Sequence, residues 1–372
     1  MKEIKIFMQY PWKSGDSSYY KNILDFPSKD IEFVNYSKDN AKKFEIIGSS
    51  KKFEQVRKLK NTLRKILGFL KIPNLTYSRH SKNFDLIHCA HCLSLNKKPW
   101  VIDTETYDRI AATGNIAYSK IGKWIIRNRL ESKYCKKIIC WSKDCIKTFE
   151  EAFPGNKKIL DKIKLLHFAM PEPKINNKKH KKLRVLFVAR WFEAKGGLQT
   201  LEVFDRLSKK YSNVEFIFIC SIPKKIKDKY SENKKLKLLE LMPQDKLLNE
   251  IYPTTDIFFY PGFGDSYGFA TPEALAYGLP VITTNTFAKN EQIIDGYNGF
   301  LIDMPVDWRK NGGYSNMDEN MIKEFVNKTS ILIEDKKLKL QMSKNAKEHW
   351  NKMFTIEQRN KKLMQIYKGA LN

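Results

Sequence analysis

A regular alternation of short apolar runs and amphipathic helical patterns extends through the whole chain, and it limits the choice of fold more than any other feature. Consecutive parallel strands need a crossover between them, and a helix is the usual crossover. The alternation therefore predicts an α/β protein built on parallel sheets. The runs predicted to form strands are Ile4–Met8, Ile31–Val34, Phe84–His88, Trp100–Ile102, Lys137–Trp141, Ile163–His167, Leu183–Ala189, Val214–Ile219, Leu236–Leu239, Ile257–Phe259, Val281–Thr283 and Phe300–Ile302.

One polar, lysine-rich stretch, Pro171–Lys182, interrupts the alternation, and its composition is typical of a linker. A chain of 372 residues is also longer than a single hydrophobic core usually serves. We therefore predict an N-terminal Rossmann-like domain at 1–172, a linker at 173–183 and a second Rossmann-like domain at 184–350. The rest of the chain has a helical pattern, and Ile356–Leu371 is predicted to be the last helix.

The formal net charge of +27 has two interpretations. A polyanionic partner, either nucleic acid or an anionic membrane surface, would match such a charge. Alternatively, the charge is a solvated surface that follows from a composition rich in Lys, Asn and Ile throughout. No helix-turn-helix, zinc-finger or RNA-recognition pattern accompanies the charge, so a nucleic-acid partner is disfavoured.

The sequence predicts a cytoplasmic protein without a metal centre. No segment reaches the roughly 18 apolar residues of a spanning helix, and Met1–Met8 lacks the apolar core of a signal peptide. Six cysteines in a chain of this length do not predict a disulfide framework. His88, Cys89, His91 and Cys92 are neighbours in sequence, but no second pair of ligands follows at a spacing that completes a zinc site.

The segment Tyr260–Ile282 carries the most specific chemical pattern in the chain. An apolar strand leads into a loop with three glycines, and Thr271 and Pro272 then predict an N-cap and the first position of a helix. Free N–H groups at such a helix start favour an anion. Asp265 and Glu273 flank the loop, and carboxylates suit hydroxyl groups better than phosphates. Phosphate and hydroxyl recognition at one loop indicates a nucleotide sugar.

A second loop follows the predicted strand Leu183–Ala189 and contains Arg190, Lys195 and the pair Gly196-Gly197. It lies at the carboxyl edge of the predicted sheet, where α/β folds bind their ligands. Arginine offers a fork of donors and lysine a point charge, so together they can hold a diphosphate. The alternative is that both are ordinary surface cations.

Both loops resemble signature elements of the retaining GT-B glycosyltransferases of family 4. Residues 265–282 are similar to the E-x7-E donor motif, with Asp265 in place of the first Glu, and residues 189–196 are similar to the G-R-x-x-x-x-K-G element, with Ala189 in place of Gly. The resemblance implies a GT-B fold: two Rossmann-like domains facing across a cleft, with residues 351–372 crossing back to the N-terminal domain. It also implies transfer with retention and no required metal or cofactor.

The resemblance also implies a role for each matched position. Arg190 and Lys195 would hold the nucleotide diphosphate, Glu273 would bind the ribose and Asp265 the sugar hydroxyls, and all four are predicted to act in catalysis. The donor is expected to be a UDP-, GDP- or dTDP-sugar. Because Asp is one methylene shorter than Glu, the sugar sits closer or is a different one. The other motif residues predicted to contact the donor are Ser266, Tyr267, Gly268 and Phe269.

Other segments match the family less closely. Gly15 follows the first strand, where the family places a glycine-rich loop that reaches the diphosphate. Glu105, beside Asp103, falls where many relatives carry a His against the reacting sugar; it would receive the acceptor proton, or it caps the next helix. Glu291 lies in a segment similar to E-x-I-x-D-G-x-N-G and is either a donor ligand or structural. Residues 241–246 resemble the loop that faces the nucleotide base through its backbone.

A strongly basic amphipathic pattern covers residues 51–71. Apolar residues recur there at helical spacing, and basic residues fill the opposite face. The pattern suits a helix that lies on an anionic bilayer, and it equally suits a surface helix packed against the sheet. The first interpretation predicts a protein peripheral to the inner face of the membrane.

The chain is thus predicted to be a retaining glycosyltransferase of the hexosyltransferase type, with an N-terminal acceptor domain and a C-terminal donor domain. Its acceptor is open, and a lipid-linked or cell-surface glycan would fit a membrane-peripheral enzyme. Two rival functions share the fold: a nucleotide-sugar epimerase or hydrolase, and a catalytically degenerate binding subunit. The substituted Asp265 and the single Gly15 favour the degenerate subunit, whereas Arg190, Lys195 and Glu273 oppose it.

Overall fold

The computed structural model describes residues 3–9, 18–36, 69–79, 83–111, 114–173, 181–305, 313–315 and 317–372. The chain divides into two compact units. Unit 1 contains Met1–Pro171 and Ile356–Asn372, and unit 2 contains Glu172–Thr355. Of the predicted features, Gly15 and residues 51–68 lie outside the described residues.

Unit 1 is built on a parallel sheet of six described strands in the order β2-β1-β4-β6-β7-β8, beside a two-stranded parallel sheet, β3-β5. The strands are β1 (Ile4–Gln9), β2 (Ile31–Phe33), β3 (Leu75–Thr76), β4 (Leu86–Ala90), β5 (Leu93–Ser94), β6 (Trp100–Thr104), β7 (Cys135–Cys140) and β8 (Ile163–Leu165). The helices are α1 (Ser18–Asp25), α2 (Gly114–Ala117), α3 (Lys120–Glu131), α4 (Lys143–Ala152) and α5 (Lys157–Leu160), with a 3₁₀-helix at Tyr107–Ala111.

Every residue of the central strands β4 and β6 is buried. Parallel sheets are covered on both faces, so their inner strands are apolar nearly throughout, which is why these runs stand out in the sequence. Trp100, Ile102 and Ile138 lie in the cluster that forms the core between the sheet and its helices.

Unit 2 repeats this plan with the strand order β11-β10-β9-β12-β13-β14, again all parallel. The strands are β9 (Leu183–Val188), β10 (Val214–Ile219), β11 (Leu236–Leu239), β12 (Ile257–Tyr260), β13 (Val281–Thr284) and β14 (Gly299–Ile302). The helices are α6 (Gly197–Lys210), α7 (Lys224–Tyr230), α8 (Gln244–Lys246), α9 (Ala270–Ala276), α10 (Lys289–Gln292), α11 (Glu319–Glu334) and α12 (Lys336–Met353), with a π-helical turn at Leu247–Ile251 and 3₁₀-helices at Tyr252–Thr254 and Gly313–Ser315.

The direction of strand addition reverses between β9 and β12. From β9 the chain builds outward through β10 and β11, and then it returns to place β12 on the other side of β9. The carboxyl edge of the sheet at such a reversal is where open α/β sheets bind ligands.

The last helix, α13 (Ile356–Leu371), belongs to unit 1 and packs on β4 and β7. Arg359, although buried, donates to the carbonyl oxygens of Asn22 and Phe26 at 3.1 and 2.8 Å. The predicted helix at these residues is confirmed.

All twelve predicted strands form, with ends that differ from the prediction by a few residues. The short strands β3 and β5 were not predicted, because two-residue strands leave no alternation in the sequence. No helix among the described residues is both long and apolar enough to cross a bilayer.

Candidate functional site

The two loops predicted to carry chemistry are hydrogen-bonded to each other at the point where strand order reverses. The amide of Gly262 donates to the carbonyl of Lys195 at 3.1 Å, and the amide of Gly264 donates to the carbonyl of Ala194 at 2.7 Å. Gly196 precedes α6 with a φ of +78°, and a Cβ there would lie 2.7 Å from the Cβ of Pro261. Only glycine suits both the conformation and the contact, so the residue at this position determines how closely the loops approach.

Lys195 and Asp265 form an ion pair across these loops, with Nζ 3.0 Å from Oδ1 and only 14% and 18% of the two side chains exposed. The hydroxyl of Tyr260, the last residue of β12, donates to the other carboxylate oxygen of Asp265. Lys289 is fully buried at the start of α10 and donates from Nζ to the carbonyl of Gly262 at 2.9 Å. The loop after β12 is therefore braced by one phenol and two ammonium groups.

These neighbours keep Asp265 ionised despite its burial. Burial alone raises the pKa of the Asp265 carboxyl, but the charge of Lys195, the Tyr260 hydrogen bond and the charge of Lys289 outweigh it, so the pKa lies below its ordinary value. Burial and the nearby carboxylate raise the pKa of Tyr260, which therefore remains a hydrogen-bond donor.

Glu273 occupies a separate buried position in the first turn of α9 and is 8% exposed. Its Oε1 accepts a hydrogen bond from Nε2 of Gln244 at 2.7 Å, and its Oε2 accepts one from the hydroxyl of Tyr252 at 3.4 Å. The 241–246 loop thus reaches Glu273 through a side chain, whereas the sequence predicted only a backbone role for that loop.

Burial raises the pKa of Glu273 to about 7, because the hydrogen bonds from Gln244 and Tyr252 offset only part of the lost hydration. A carboxyl group with such a pKa changes its charge near neutrality. Ionised, it can accept hydrogen bonds from two further hydroxyl groups, since each oxygen carries two lone pairs.

The start of α9 differs from the prediction. The helix begins at Ala270 with Phe269 as its N-cap residue, so Thr271 is not the N-cap and Pro272 is the third helical residue instead of the first. Proline remains acceptable there because the first four amides of a helix have no partner within it. Gly268 has a φ of +78°, and its carbonyl accepts from the amide of Thr271 at 2.9 Å, which starts the turn two residues early.

The remaining motif residues shape the loop around Asp265. The carbonyl of Tyr267, a fully buried residue, accepts from Nε2 of Gln292 at 2.7 Å. The carbonyl of Ser266 accepts from the amide of Ala288 at 3.4 Å, and the rings of Tyr267 and Phe269 lie 5.2 Å apart. These contacts tie the loop to α10, which also supplies Lys289.

Arg190 is exposed two residues after the end of β9 and five residues before Lys195. No described residue forms an ion pair with it. Its guanidinium is therefore available to an anion at the same edge of the sheet. Glu291 is half-buried in α10, next to Gln292, and its backbone forms a hydrogen bond with the side chain of His349.

In unit 1, Glu105 follows β6, and its carboxylate lies 3.1 Å from Nε of Arg109. Asp103 is fully buried; its Oδ2 lies 3.1 Å from Nε2 of His88, and its Oδ1 accepts from the hydroxyl of Tyr20 at 2.6 Å. His91 has a φ of +50° and shares a hydrogen bond of 3.1 Å with Thr104, while burial lowers the pKa of its imidazole. Within the described part of the chain, no three His, Cys, Asp or Glu side chains converge as metal ligands.

Sequence reasoning missed Tyr260, Lys289, Gln244 and Tyr252. Tyr260 ends a buried strand, a position that points to the carboxyl edge, so its place in the pattern was an available clue. Lys289 and Gln244 are polar residues in polar segments, and nothing in the sequence separates them from solvated neighbours.

Both loops lie in a part of the chain that is similar to a known protein family. Residues 170–311 match the family model described as Glycosyl transferases group 1. An uncharacterized glycosyltransferase of Haemophilus influenzae is 25% identical over 70% of this chain and 66% of the relative. An uncharacterized 41.2 kDa protein in the cps region of Klebsiella pneumoniae is 27% identical over 60% of this chain and 58% of the relative. The similarity thus spans less than two thirds of either relative.

Among solved structures, that of Anabaena Alr3699/HepE in complex with UDP and glucose is similar over 98% of this chain and 99% of its own, with a TM-score of 0.63 and 14% identity. The fold is that of the GT-B glycosyltransferases, as predicted. The residues that match the Glycosyl transferases group 1 model include both hydrogen-bonded loops, from Arg190 to Glu273.

Proposed function

We propose that this protein is a retaining glycosyltransferase that transfers a sugar from a nucleoside diphosphate to a hydroxyl group of a glycan acceptor. The proposal rests chiefly on one arrangement: the buried Lys195–Asp265 pair and the buried Glu273 lie on the loop system at the reversal of strand order, inside a Glycosyl transferases group 1 domain. The similarity to a glycosyltransferase of Haemophilus influenzae supports the same activity.

The diphosphate would bind between Arg190 and Lys195. When the bond between the anomeric carbon and the phosphate oxygen breaks, negative charge develops on the leaving diphosphate. Cations fixed in a water-poor site stabilise that charge without reorganising, and each such donor lowers the activation barrier by about 3 kcal/mol. Lys195 is held by Asp265 before the donor arrives, so little rearrangement is needed.

Glu273 and Asp265 would bind the two sugars of the donor. Glu273 lies between Gln244 and Tyr252 and would accept the ribose hydroxyls. Asp265 already accepts from Tyr260 and pairs with Lys195, which leaves one lone pair on each oxygen for the hydroxyls of the transferred sugar. This partial occupancy, together with the shorter side chain, makes Asp265 the residue through which sugar preference is set.

UDP-sugars are the donors to test first, because the similar Anabaena structure contains UDP. GDP- and dTDP-sugars complete the panel, since the contacts of the described site fall on the diphosphate and on hydroxyl groups common to all three. Glu105 stays a predicted acceptor of the proton released by the attacking hydroxyl, and Gly15 a predicted diphosphate contact. Glu291 stays a predicted donor ligand, and residues 51–71 a predicted contact with an anionic membrane.

A thermal-shift screen of the full chain against the three classes of nucleotide sugar tests donor binding, with the free sugars as controls. We expect one nucleotide class to raise the midpoint temperature of unfolding by several degrees. If no nucleotide sugar stabilises the protein more than its free sugar does, the proposal is wrong.

Product analysis with the stabilising donor separates transfer from the rival activities. Transfer requires an acceptor extract and yields a linkage with the anomeric configuration of the donor. Release of free sugar, or conversion of the donor without acceptor, would indicate a hydrolase or an epimerase instead. Donor binding with no product under any condition would indicate the degenerate binding subunit.

A further inference from the structure

Helix α3 in unit 1 exposes a ridge of large apolar side chains that the proposed function does not use. Tyr118, just before the helix, is 58% exposed, Ile121 is 55% exposed and Trp124 is 64% exposed. Their spacing of three residues brings them to one side of the helix. We call these three residues the α3 ridge.

The α3 ridge is not the side by which the helix packs on the protein. Gly122, Ile126 and Leu130 form the buried side, and a Cβ at Gly122 would lie 1.9 Å from the carbonyl oxygen of Ile116. The helix is therefore anchored closely along one side while it exposes an aromatic and aliphatic edge on another. Single exposed apolar residues are ordinary, but three together on one element indicate an interaction surface.

Positive charge predominates along α3 beside the ridge. Residues 118–133 contain five basic side chains and one acidic side chain, Glu131. Glu131 is neutralised by Arg127, whose Nε lies 2.8 Å from its carboxylate. Lys120 is exposed beside Ile121, and the helix packs against α5, which begins with the exposed pair Lys157-Lys158.

Two acidic residues lie close enough to Tyr118 to affect its hydroxyl group. Burial and the negative charges of Asp108 and Glu151 raise the pKa of the Tyr118 hydroxyl. Asp108 also accepts a hydrogen bond from Thr106 at 2.7 Å. They border the N-terminal end of the α3 ridge. Along α3 itself, the charged residues that follow Ile121 are basic, apart from the paired Glu131.

We propose that the α3 ridge docks this protein on an anionic lipid bilayer. Tryptophan and tyrosine favour the level of the lipid headgroups, where the ring enters the apolar boundary and the polar atom stays hydrated. An aliphatic residue between them adds buried apolar area, and neighbouring lysines are attracted to anionic lipid. The net charge of +27 adds attraction over the whole molecule.

This charge pattern favours a bilayer over other occupants. A neutral glycan chain would need polar side chains that converge on its hydroxyls, whereas the α3 ridge offers an isoleucine between two aromatic rings. A second copy of this chain would bring another strongly positive surface against the first, which is repulsive. An anionic bilayer satisfies both the apolar ridge and its basic border.

Vesicle flotation with the full-length protein tests the proposal. Phosphatidylcholine vesicles that contain phosphatidylglycerol should carry the wild type to the top of the gradient, and pure phosphatidylcholine vesicles should carry at least tenfold less. Ile121→Glu/Trp124→Glu should abolish flotation. The matched control, Lys225→Glu/Lys227→Glu on α7, makes a larger change in net charge in unit 2 and should float nearly as well as the wild type.

A site-specific probe locates the contact. All six cysteines are buried, so an environment-sensitive fluorophore can be placed on Ile121→Cys with little background labelling. Its emission should shift to the blue when anionic vesicles are added, whereas the same label on Lys225→Cys should not shift. The inference is wrong if flotation is absent, if the ridge variant still floats, or if the label at position 121 does not respond.

Donor binding and oligomeric state distinguish bilayer docking from damage to the donor site and from self-association. The ridge variant should bind the donor nucleotide as the wild type does, because no ridge residue belongs to the donor site in unit 2. If the wild type does not bind the donor nucleotide, the proposed function is wrong, but the result on bilayer docking still stands. A dimer in light scattering that Ile121→Glu/Trp124→Glu dissociates would overturn the docking proposal in favour of a second copy.

Discussion

Glu273 shows, at the scale of single residues, that a proposed binding group can lower the stability of the fold that buries it. Its carboxylate is buried with an amide and a phenol as its described hydrogen-bond partners, and none of the described cations pairs with it. Asp265, by contrast, is paired with Lys195 and stays ionised. The two carboxylates of one motif therefore respond differently to pH, and this difference follows from their neighbours.

The affinity for the donor nucleotide should depend on pH through Glu273. Because burial raises its pKa to about 7, the carboxylate that we propose accepts the ribose hydroxyls is largely protonated at pH 6. We expect affinity to fall about tenfold from pH 8 to pH 6, since one unit below a pKa about one tenth of the group is ionised. Calorimetry with the parent nucleoside, which has no titrating phosphate, measures this effect. An affinity that does not change over this range contradicts the assigned role.

Glu273→Gln should stabilise the protein without donor while it weakens donor binding. The pKa of Glu273 is raised in the folded state, so its contribution to stability is full below pH 4.5 and is lost as pH rises to about 7. Glutamine removes that loss and can still accept from Gln244. At pH 8 we expect urea denaturation to show a gain of up to about 3 kcal/mol, with a smaller gain at pH 5. Equal stability of variant and wild type at pH 8 would refute this account.

Charged residues that flank a glycine-rich loop after a strand could be identified from the sequence as site residues. Charged residues outside such a pattern could not. Arg190, Lys195, Asp265 and Glu273 stand out because each flanks a glycine loop after an apolar run. Lys289 has no such context, and its importance arises only because the fold buries it against the carbonyl of Gly262.

At the scale of elements, the geometry of the site depends on how closely two loops approach. Gly196 permits this approach, because its φ is positive and its Cα faces Pro261. The pair of hydrogen bonds from Gly262 and Gly264 then fixes the distance between the loop that carries Lys195 and the loop that carries Asp265.

Gly196→Ala should disturb the site more than Gly296→Ala does. Both glycines have positive φ, +78° and +73°, but a Cβ at Gly296 meets nothing within 4 Å, whereas one at Gly196 lies 2.7 Å from Pro261. Each variant bears a strain of about 1–2 kcal/mol, and Gly196→Ala adds an overpacking cost of about 1–3 kcal/mol. Gly196→Ala should have both a lower midpoint temperature of unfolding and a lower affinity for the donor than Gly296→Ala. Equal effects would mean that the contact with Pro261 is unimportant.

Elements with strong periodicity were predictable, and their exact ends were not. The strands of both sheets are apolar because both faces are covered. The start of α9 was misplaced because Thr271 and Pro272 form a common N-terminal pattern, while the turn at Gly268 begins the helix earlier. Backbone hydrogen bonding in the loop overrode the side-chain pattern.

At the scale of the whole molecule, the chain returns to unit 1 after completing unit 2. The returning helix α13 is held by a buried polar contact: the hydroxyl of Tyr367 lies 2.5 Å from Nδ1 of His88, on β4. His88 in turn lies against Asp103, so one network links the end of the chain to the central strands of the first sheet.

Tyr367→Phe should destabilise unit 1 and leave unit 2 unchanged. The substitution leaves a ring nitrogen of His88 buried without that partner, which costs about 1–3 kcal/mol. Hydrogen exchange should quicken in β4 and β6 while β9 and β12 keep their protection. The control, Tyr77→Phe, changes a residue that is 64% exposed and should have no effect. Faster exchange in both units would show that the two unfold together.

We propose that the loops after β9 and β12 bind the diphosphate of a nucleotide sugar, and a substitution of Arg190 provides the sharpest test. The measurement is the affinity of the selected nucleoside diphosphate relative to its nucleoside, by calorimetry, for the wild type and Arg190→Ala. We expect the wild type to prefer the diphosphate and Arg190→Ala to lose at least tenfold of this preference, with its affinity for the nucleoside unchanged. An undiminished preference in Arg190→Ala would contradict it.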